Sequence, residues 1–253
     1  MTSSSTKVVD ISAIALAVVC GLGAIVFFVA RPLGALSLLH THWSEPWVLL
    51  GDTVLSLVFF LQHSGMNRLG FRARLSRWLA PRYHGAVYSI ASGIALLLVV
   101  AAWQTSGTGI VVLQGPGRLV AQIGSALAFG LFVVSATSLL TFDPLGVRPI
   151  QAHLQNRPFT PSPFLVRGPY RWVRHPLYSA SIVMIWTEPN VTTDRLLFNI
   201  LWTAWIVVGT YLEERDLSRE FGASYREYQR HVPMLVPRFR LSAPRWVADQ
   251  AAE

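Results

Sequence analysis

Pro176–Asp216 reads PLYSASIVMIWTEPNVTTDRLLFNILWTAWIVVGTYLEERD. Two apolar arms, Pro176–Thr187 and Leu196–Leu212, flank a polar turn that begins at Glu188-Pro189-Asn190. Crossing a hydrocarbon core about 30 Å thick takes roughly 20 helical residues, so the second arm is nearly long enough and the first is too short to stand upright. The pair reads as a tight helical hairpin with one arm shortened or tilted. Gly168-Pro169-Tyr170-Arg171-Trp172-Val173-Arg174-His175 precedes it, and Glu213-Glu214-Arg215-Asp216 closes it. Folded back to back, the ends gather cation, imidazole, phenol and carboxylate at one membrane surface.

Outside the hairpin the composition is that of a membrane protein. Only 13% of the 253 residues are charged, about half the ~25% usual in soluble domains. Ile11–Ala30, Trp47–Gln62, Gly85–Trp103 and Leu119–Phe142 are long apolar runs in which Asp52 is the one charge. Unpaired backbone is costly in lipid, so each run is expected to be a helix. The first run lacks a basic leader beyond Lys7 and a small-residue cleavage site, so we read it as a retained anchor rather than a signal peptide. The expected fold is an all-α polytopic membrane helical bundle of about five to six membrane helices, with a C-terminal helical hairpin and a cytosolic cofactor loop. Residues 1–142 would hold the N-terminal spans, 143–237 the loop, hairpin and C-terminal helix, and 238–253 a polar tail.

Arginines set the orientation. Arg68, Arg72, Arg74, Arg77 and Arg82 crowd one loop, and Arg148, Arg157, Arg167, Arg171 and Arg174 another, whereas the alternate loops carry Arg31, Arg118 and Arg195. Basic loops stay cytoplasmic, which places both termini in the cytosol. The net charge of +8 follows loop topology rather than one face, which favours anionic lipid headgroups over nucleic acid as its counterpart. The lone Cys20 is read as a small packing residue, and no Cys/His set has metal spacing.

Three places carry polar groups that chemistry could use. The Pro-rich segment Asp143–Arg174 has lowered unfolded-state entropy, which argues for order. Pro176 suits a helix start, placing His175 near an N-cap with free amides and a positive dipole end. A basic juxtamembrane anchor of snorkelling arginines is the competing reading. Glu213 and Glu214 close the last apolar run in a helix that can continue through Leu217 and Phe221, and boundary carboxylates are functional candidates by default. An ordinary salt bridge to Arg171, Arg174 or Arg215 is the alternative. Gln62-His63-Ser64-Gly65-Met66-Asn67-Arg68 ends the second run, and its His63 reads as a ligand contact, a proton acceptor or a satisfied cap. Ser64 lacks an Asp partner and no phosphate-binding glycine motif is present.

Gly168–Tyr178, the short hairpin, Glu213-Glu214 and Phe221-Gly222…Tyr225…Tyr228…Val232-Pro233 resemble the integral-membrane methyltransferases of the isoprenylcysteine carboxyl methyltransferase type. Gln62–Met66, Phe142–Arg148, Arg157–Pro161, Leu212–Leu217 and Val232-Pro233-Met234 narrow the resemblance to the methanethiol S-methyltransferase branch. NnrU-like membrane proteins share part of the pattern. The matched segments run from about Leu50 to Pro237.

The resemblance implies S-adenosyl-L-methionine as methyl donor. Tyr170, His175, Pro176, Leu177, Tyr178 and Glu213 match positions that contact this cofactor in the family. Gln155 and the segment ending at Leu165 match by distance from Tyr170, and Arg174 is a further expected partner. The prenylcysteine enzymes carry an Arg about one turn before Glu213, where this chain has Gly209 and Thr210. That departure points away from a prenylated carboxylate and toward a small apolar thiol, methanethiol, methylated to dimethyl sulfide. Thiols react as thiolates. His63 is the first candidate base, with Glu214 and Asp143 behind it. Prenylcysteine, phospholipid or other acceptors, and a non-enzymatic NnrU-like protein, are the alternatives.

Overall fold

The computed structural model describes residues 3–30 and 42–237; the expected tail over 238–253 and Arg31 lie outside them. In chain order the elements are α1 (Ser3–Ala30), α2 (Glu45–Met66), α3 (Leu69–Leu75), α4 (His84–Ala102), β1 (Gly109–Val112) and α5 (Gly115–Ser138). There follow α6 (Arg148–Leu154), α7 (Pro176–Trp186), β2 (Asn190–Thr192), α8 (Thr193–Glu220) and α9 (Gly222–His231).

Among the described residues five segments are long and apolar enough to cross a membrane: Ser4–Val26, Glu45–Met66, Pro81–Ala102, Gly115–Ser138 and Thr193–Glu220. The shortened hairpin arm is α7, with 11 residues. Leu61 and Leu127 are 74% and 71% exposed, which in water would make the helices aggregate and in lipid is their proper surface. The protein is an all-α, multi-pass membrane protein, as its apolar runs led us to expect. The strands β1 and β2, which pair with each other, were not expected. Their 4 and 3 residues are too few for an alternating pattern to declare itself.

The chain divides into two compact units. The first takes the chain up to Thr108 with Asp143–Pro161 and Thr192–Leu197. Here α1 lies on α4 through small residues. Ala17 and Ala86 are fully buried, with Tyr83 and Ile150 beside them, and a Cβ at Gly93 would collide with the Cys20 backbone carbonyl. Without a water-driven hydrophobic effect between helices, such close approach is what holds them. Cys20 thus marks a close-packed position, in line with its sequence reading. Asp194 pins the end of α4 by accepting from Trp103 Nε1 at 3.1 Å and Ser106 N–H at 2.9 Å.

The second unit takes Gly109–Phe142, Ser162–Val191 and the chain from Phe198 onward. Within it α5 packs on α7, with room at Gly124 for only a tight contact to Thr187 (3.2 Å from a built Cβ). Trp186 donates to Thr203 Oγ1 at 2.9 Å, tying α7 to α8.

Gly93→Ala is expected to destabilise the protein by about 1–3 kcal/mol, the usual cost of overpacking a close contact. Gly23→Ala, where a Cβ meets nothing within 4 Å, should leave stability unchanged. Thermal unfolding of both variants in detergent checks the contrast.

Candidate functional site

Proline lacks an N–H and has a fixed φ, so Pro176 starts α7 at no cost and leaves His175 in the N-cap position with extended φ (−128°). The free amides before α7 do not point to empty space. Arg174 N–H donates to Pro233 O at 2.8 Å, and His175 N–H to Met234 O at 3.1 Å. Ser179 Oγ donates to Leu235 O at 2.6 Å. A strap formed by Val232–Leu235 therefore runs back along the start of α7. The chain reaches it through Gly222, whose φ of +59° lets α8 turn into α9. The inner face of α9 is aromatic. Tyr225 and Tyr228 pack with Val166 and Val232, and the Phe164 ring lies 5.3 to 5.7 Å from those of Phe221, Tyr225 and Tyr228. The amphipathic helix read at Phe221–Tyr228 is present, and its aromatic side is a packing face.

Beneath the strap sits one buried carboxylate. Glu214 accepts from Arg174 Nε at 2.5 Å and Arg174 Nη2 at 2.9 Å, a two-pronged pair. Its oxygens also lie 3.2 Å from His175 Nε2, 3.0 Å from the Gln229 amide and 3.5 Å from the Tyr225 hydroxyl. The third guanidinium nitrogen of Arg174 donates to the Gln229 carbonyl at 3.1 Å and to the Val232 carbonyl. Arg174 is thus the partner that Glu214 takes among the three arginines considered.

One turn away the environment opens. The Glu213 side chain is 36% exposed and that of Glu214 9%, so only the first offers a ligand a free face. Tyr178 donates to Glu213 Oε2 at 2.8 Å, and its ring lies parallel to His175 at 5.5 Å. Tyr228 donates to the Tyr170 carbonyl at 2.6 Å. Burial, with Glu213 nearby, raises the Tyr170 phenol above the usual tyrosine range; burial first raises Tyr225 and Tyr228 as well. All three stay neutral donors at physiological pH. Gly168, at φ +52°, brings the backbone against Ser138, with a built Cβ only 2.7 Å from its hydroxyl oxygen. Leu165 and Leu177 are half-buried beside Val166 and the buried Pro176. In the turn before Glu213, Thr210 is buried and bonds back to Ile206 O at 2.6 Å, while Gly209 faces open space.

The second unit thus gathers Leu165, Tyr170, Arg174, His175, Pro176, Leu177, Tyr178, Glu213 and Glu214. His63, Asp143 and Gln155 belong to the first. Asp143, at φ +56°, accepts from the N–H groups of Val147 and Arg148, both at 2.9 Å, and so caps the entry to α6. Gln155 is exposed at the far end of α6. His63 has the Tyr88 hydroxyl 2.9 Å from Nε2 and stacks on Phe59 at 5.2 Å. Sequence reasoning missed Gln229, Ser179 and Tyr88. The first two act through long-range contacts with no local pattern; a tyrosine in the first turn of an apolar run was the one available signal for the third.

Removing one partner of a buried ion pair strands the other charge and costs about 3–5 kcal/mol. Glu214→Ala and Arg174→Ala should each lower the detergent unfolding midpoint sharply, and the double variant should lose less than the sum. The raised phenols make a second expectation. Their protonated form favours folding, so their contribution is intact below about pH 10, the unfolded tyrosine value, and is lost as pH rises further. Tyr228→Phe should flatten that alkaline decline in a pH series of unfolding midpoints.

Comparison with known proteins adds three findings. The NnrU protein family matches residues 53–238. A methanethiol S-methyltransferase of Crocosphaera subtropica is 36% identical over 75% of this chain and 74% of its own. The corresponding enzyme of Mycobacterium tuberculosis is 34% identical over 74% and 77%, and that of a Pseudomonas species 33% identical over 76% and 75%. No solved structure matches the chain.

Proposed function

The chain belongs to the NnrU protein family, and we propose that it is an integral-membrane S-adenosylmethionine-dependent methyltransferase converting methanethiol to dimethyl sulfide. The observation that carries the reading is the match, over about three quarters of the chain, to proteins named for that reaction. The missing arginine at Gly209–Thr210 supports a neutral acceptor over a prenylated carboxylate, since no cation stands there for a carboxylate to meet.

The second unit suits the donor chemically. A zwitterionic, cationic sulfonium cofactor needs a carboxylate for its ammonium, donors for its own carboxylate and faces for its purine. Glu213 supplies a partly open carboxylate, Tyr178 and His175 supply parallel rings, and Tyr170, Leu165, Pro176 and Leu177 line the same stretch. Bound there, the cofactor would supply a methyl group activated by a sulfonium. Arg174 and Glu214 serve this site from beneath: their polar atoms are engaged with each other and with the strap. They hold His175 and the start of α7 in place rather than reach a ligand. The lipid-exposed helices give an apolar, volatile thiol a route from the bilayer.

The chain's own catalytic task is alignment and proton removal. Alignment in a near-attack geometry is worth about 7–11 kcal/mol, and a small thiol must lose its proton to become the nucleophile. Of the three candidate bases, Asp143 caps α6 and Glu214 is held in its ion pair. His63 is the one we assign. Arginine-rich loops next to His63 and next to Arg174 support a cytosolic location for both, with both termini in the cytosol of a bacterial cell. Gln155 is retained as a cofactor contact on sequence match alone.

Cells expressing the chain and fed methanethiol should release dimethyl sulfide, detected by headspace gas chromatography; its absence overturns the acceptor. Isothermal calorimetry should show S-adenosylmethionine binding that Glu213→Ala weakens by about tenfold or more, the loss expected for one charge-assisted hydrogen bond of roughly 1.5–3 kcal/mol. His63→Ala should keep that binding and lower turnover about 10²–10⁴-fold, the usual weight of a general base.

A further inference from the structure

Residues 67–80 join two membrane-crossing segments, Glu45–Met66 and Pro81–Ala102, so this connector lies at a membrane surface. All of it belongs to the first compact unit. It contains α3, and its turns run on past the end of that helix: the N–H groups of Trp78 and Leu79 donate to Leu75 O at 3.0 and 2.9 Å. Along this coil Phe71, Leu75 and Trp78 fall at i, i+4 and i+7, which is one face. That face is not packed away. Trp78 is 89% exposed and Phe71 38%, with Leu75 half-buried between them. An indole this open is costly in water, whereas the headgroup level of a bilayer is where amphipathic rings settle.

The arginines around the stripe divide into two kinds. Arg68 and Arg82 have structural work. Arg68 Nε donates to Ser64 O at 3.2 Å, and Arg82 turns inward over the Tyr83 ring at 4.7 Å, with Nε 4.0 Å from Asp10. Arg72, Arg74 and Arg77 are exposed. Arg72 donates to Asn67 Oδ1 at 2.5 Å, a neutral amide that leaves its charge uncompensated. Arg74 and Arg77 take no carboxylate partner among the described residues. The sequence supplies none nearby, since no Asp or Glu occurs between Asp52 and Asp143. A merely solvated helix face carries charges of alternating sign; this one has a single sign. Arg72 and Arg74 flank the apolar stripe by helix phase, so their stems lie along it and their heads reach past it.

We propose that the connector between α2 and α4 is a docking surface for anionic phospholipid, with Phe71, Leu75 and Trp78 entering the acyl boundary and Arg72, Arg74 and Arg77 holding headgroup phosphates. Charge complementarity carries the choice of partner: three uncompensated guanidiniums, each a planar fork that fits two phosphate oxygens. The apolar stripe on the same coil selects lipid among anions, because free phosphate and nucleic acid offer no acyl layer to receive it. The surface is independent of the methyl-transfer reading. Its consequence is mechanical: the ends of α2 and α4 are pinned at one depth by the lipid beside them.

The test uses the full chain purified in neutral detergent and titrated with phosphatidylglycerol carrying a pyrene acyl chain. Binding is read as energy transfer from the protein's tryptophans, with identically labelled phosphatidylcholine as the neutral reference. Each arginine near an anionic surface is worth about fivefold in affinity. The triple variant Arg72→Gln, Arg74→Gln, Arg77→Gln should therefore cut the preference for phosphatidylglycerol at least about tenfold. Arg72→Lys, Arg74→Lys and Arg77→Lys together keep the charge and should keep the preference. Trp78→Ala should weaken both lipids alike, since it removes apolar area and no charge. An unchanged preference in the triple glutamine variant overturns the proposal. Displacement of the labelled lipid by inorganic phosphate, or by a short single-stranded DNA, at the same phosphate concentration overturns it as well, by making the patch a general anion site. Should the triple variant fail to fold, Arg77→Gln, at an exposed turn, carries the test alone: about fivefold is expected, and no loss overturns the surface.

Discussion

Glu214 is the interaction on which the second unit turns. A carboxylate 9% exposed at the end of a membrane helix would be untenable alone, because removing an ion from water costs several kcal/mol even after relaxation. It is tolerated because Arg174, His175, Gln229 and Tyr225 converge on it. Each comes from a different part of the chain: the approach to α7, its N-cap, and two turns of α9. One buried charge therefore fixes the relation of three elements, and the strap at Val232–Leu235 follows from it. The neighbouring Glu213, freed from that duty, is left with an open face.

The same economy separates structural from reactive carboxylates elsewhere. Asp143, Asp194 and Glu45 each accept from nearby loop or helix-entry donors: Asp143 from the amides of Val147 and Arg148, Asp194 from Trp103 and Ser106, Glu45 from Ser106 and Thr108. Asp10 is shared by Tyr83 and His153, binding α1 to the entry of α4 and to α6. Acidic residues are scarce in this chain, and most of those described have an architectural partner. His63 differs from these in being held by a phenol and an aromatic face rather than by an ion pair.

Much of the fold was legible because lipid enforces a length. Apolar runs near twenty residues can be little but helices, and the eleven residues of α7 announced a shortened arm in the same way. Pro176 marked a helix start because its ring suits that position. The Glu213–Tyr178 and Glu214–Arg174 partnerships were legible only as a gathering of charges, since which arginine pairs depends on the rotation of α8. The strap was not legible at all: backbone carbonyls of Pro233 and Met234 carry no side-chain signature for the amides of Arg174 and His175. The β1–β2 pair escaped for a related reason, its strands being defined by each other rather than by their own residues. Tyr88 looked like one more apolar residue until the helix phase set it beside His63.

The joint at Arg174 also has a history in time. Its carboxylate partner lies 40 residues further along the chain, and its two carbonyl partners 55 and 58. At about 5–20 residues per second of synthesis, Arg174 leaves the ribosome several seconds before any of them exists. During that interval its guanidinium lacks the partners that bury it in the folded protein, and an unpaired charge is costly in the hydrocarbon core. Glu214 of α8 supplies the countercharge first, and the carbonyls of Gln229 and Val232 follow with α9 and its end, so the joint at the start of α7 is completed from later parts of the chain backward.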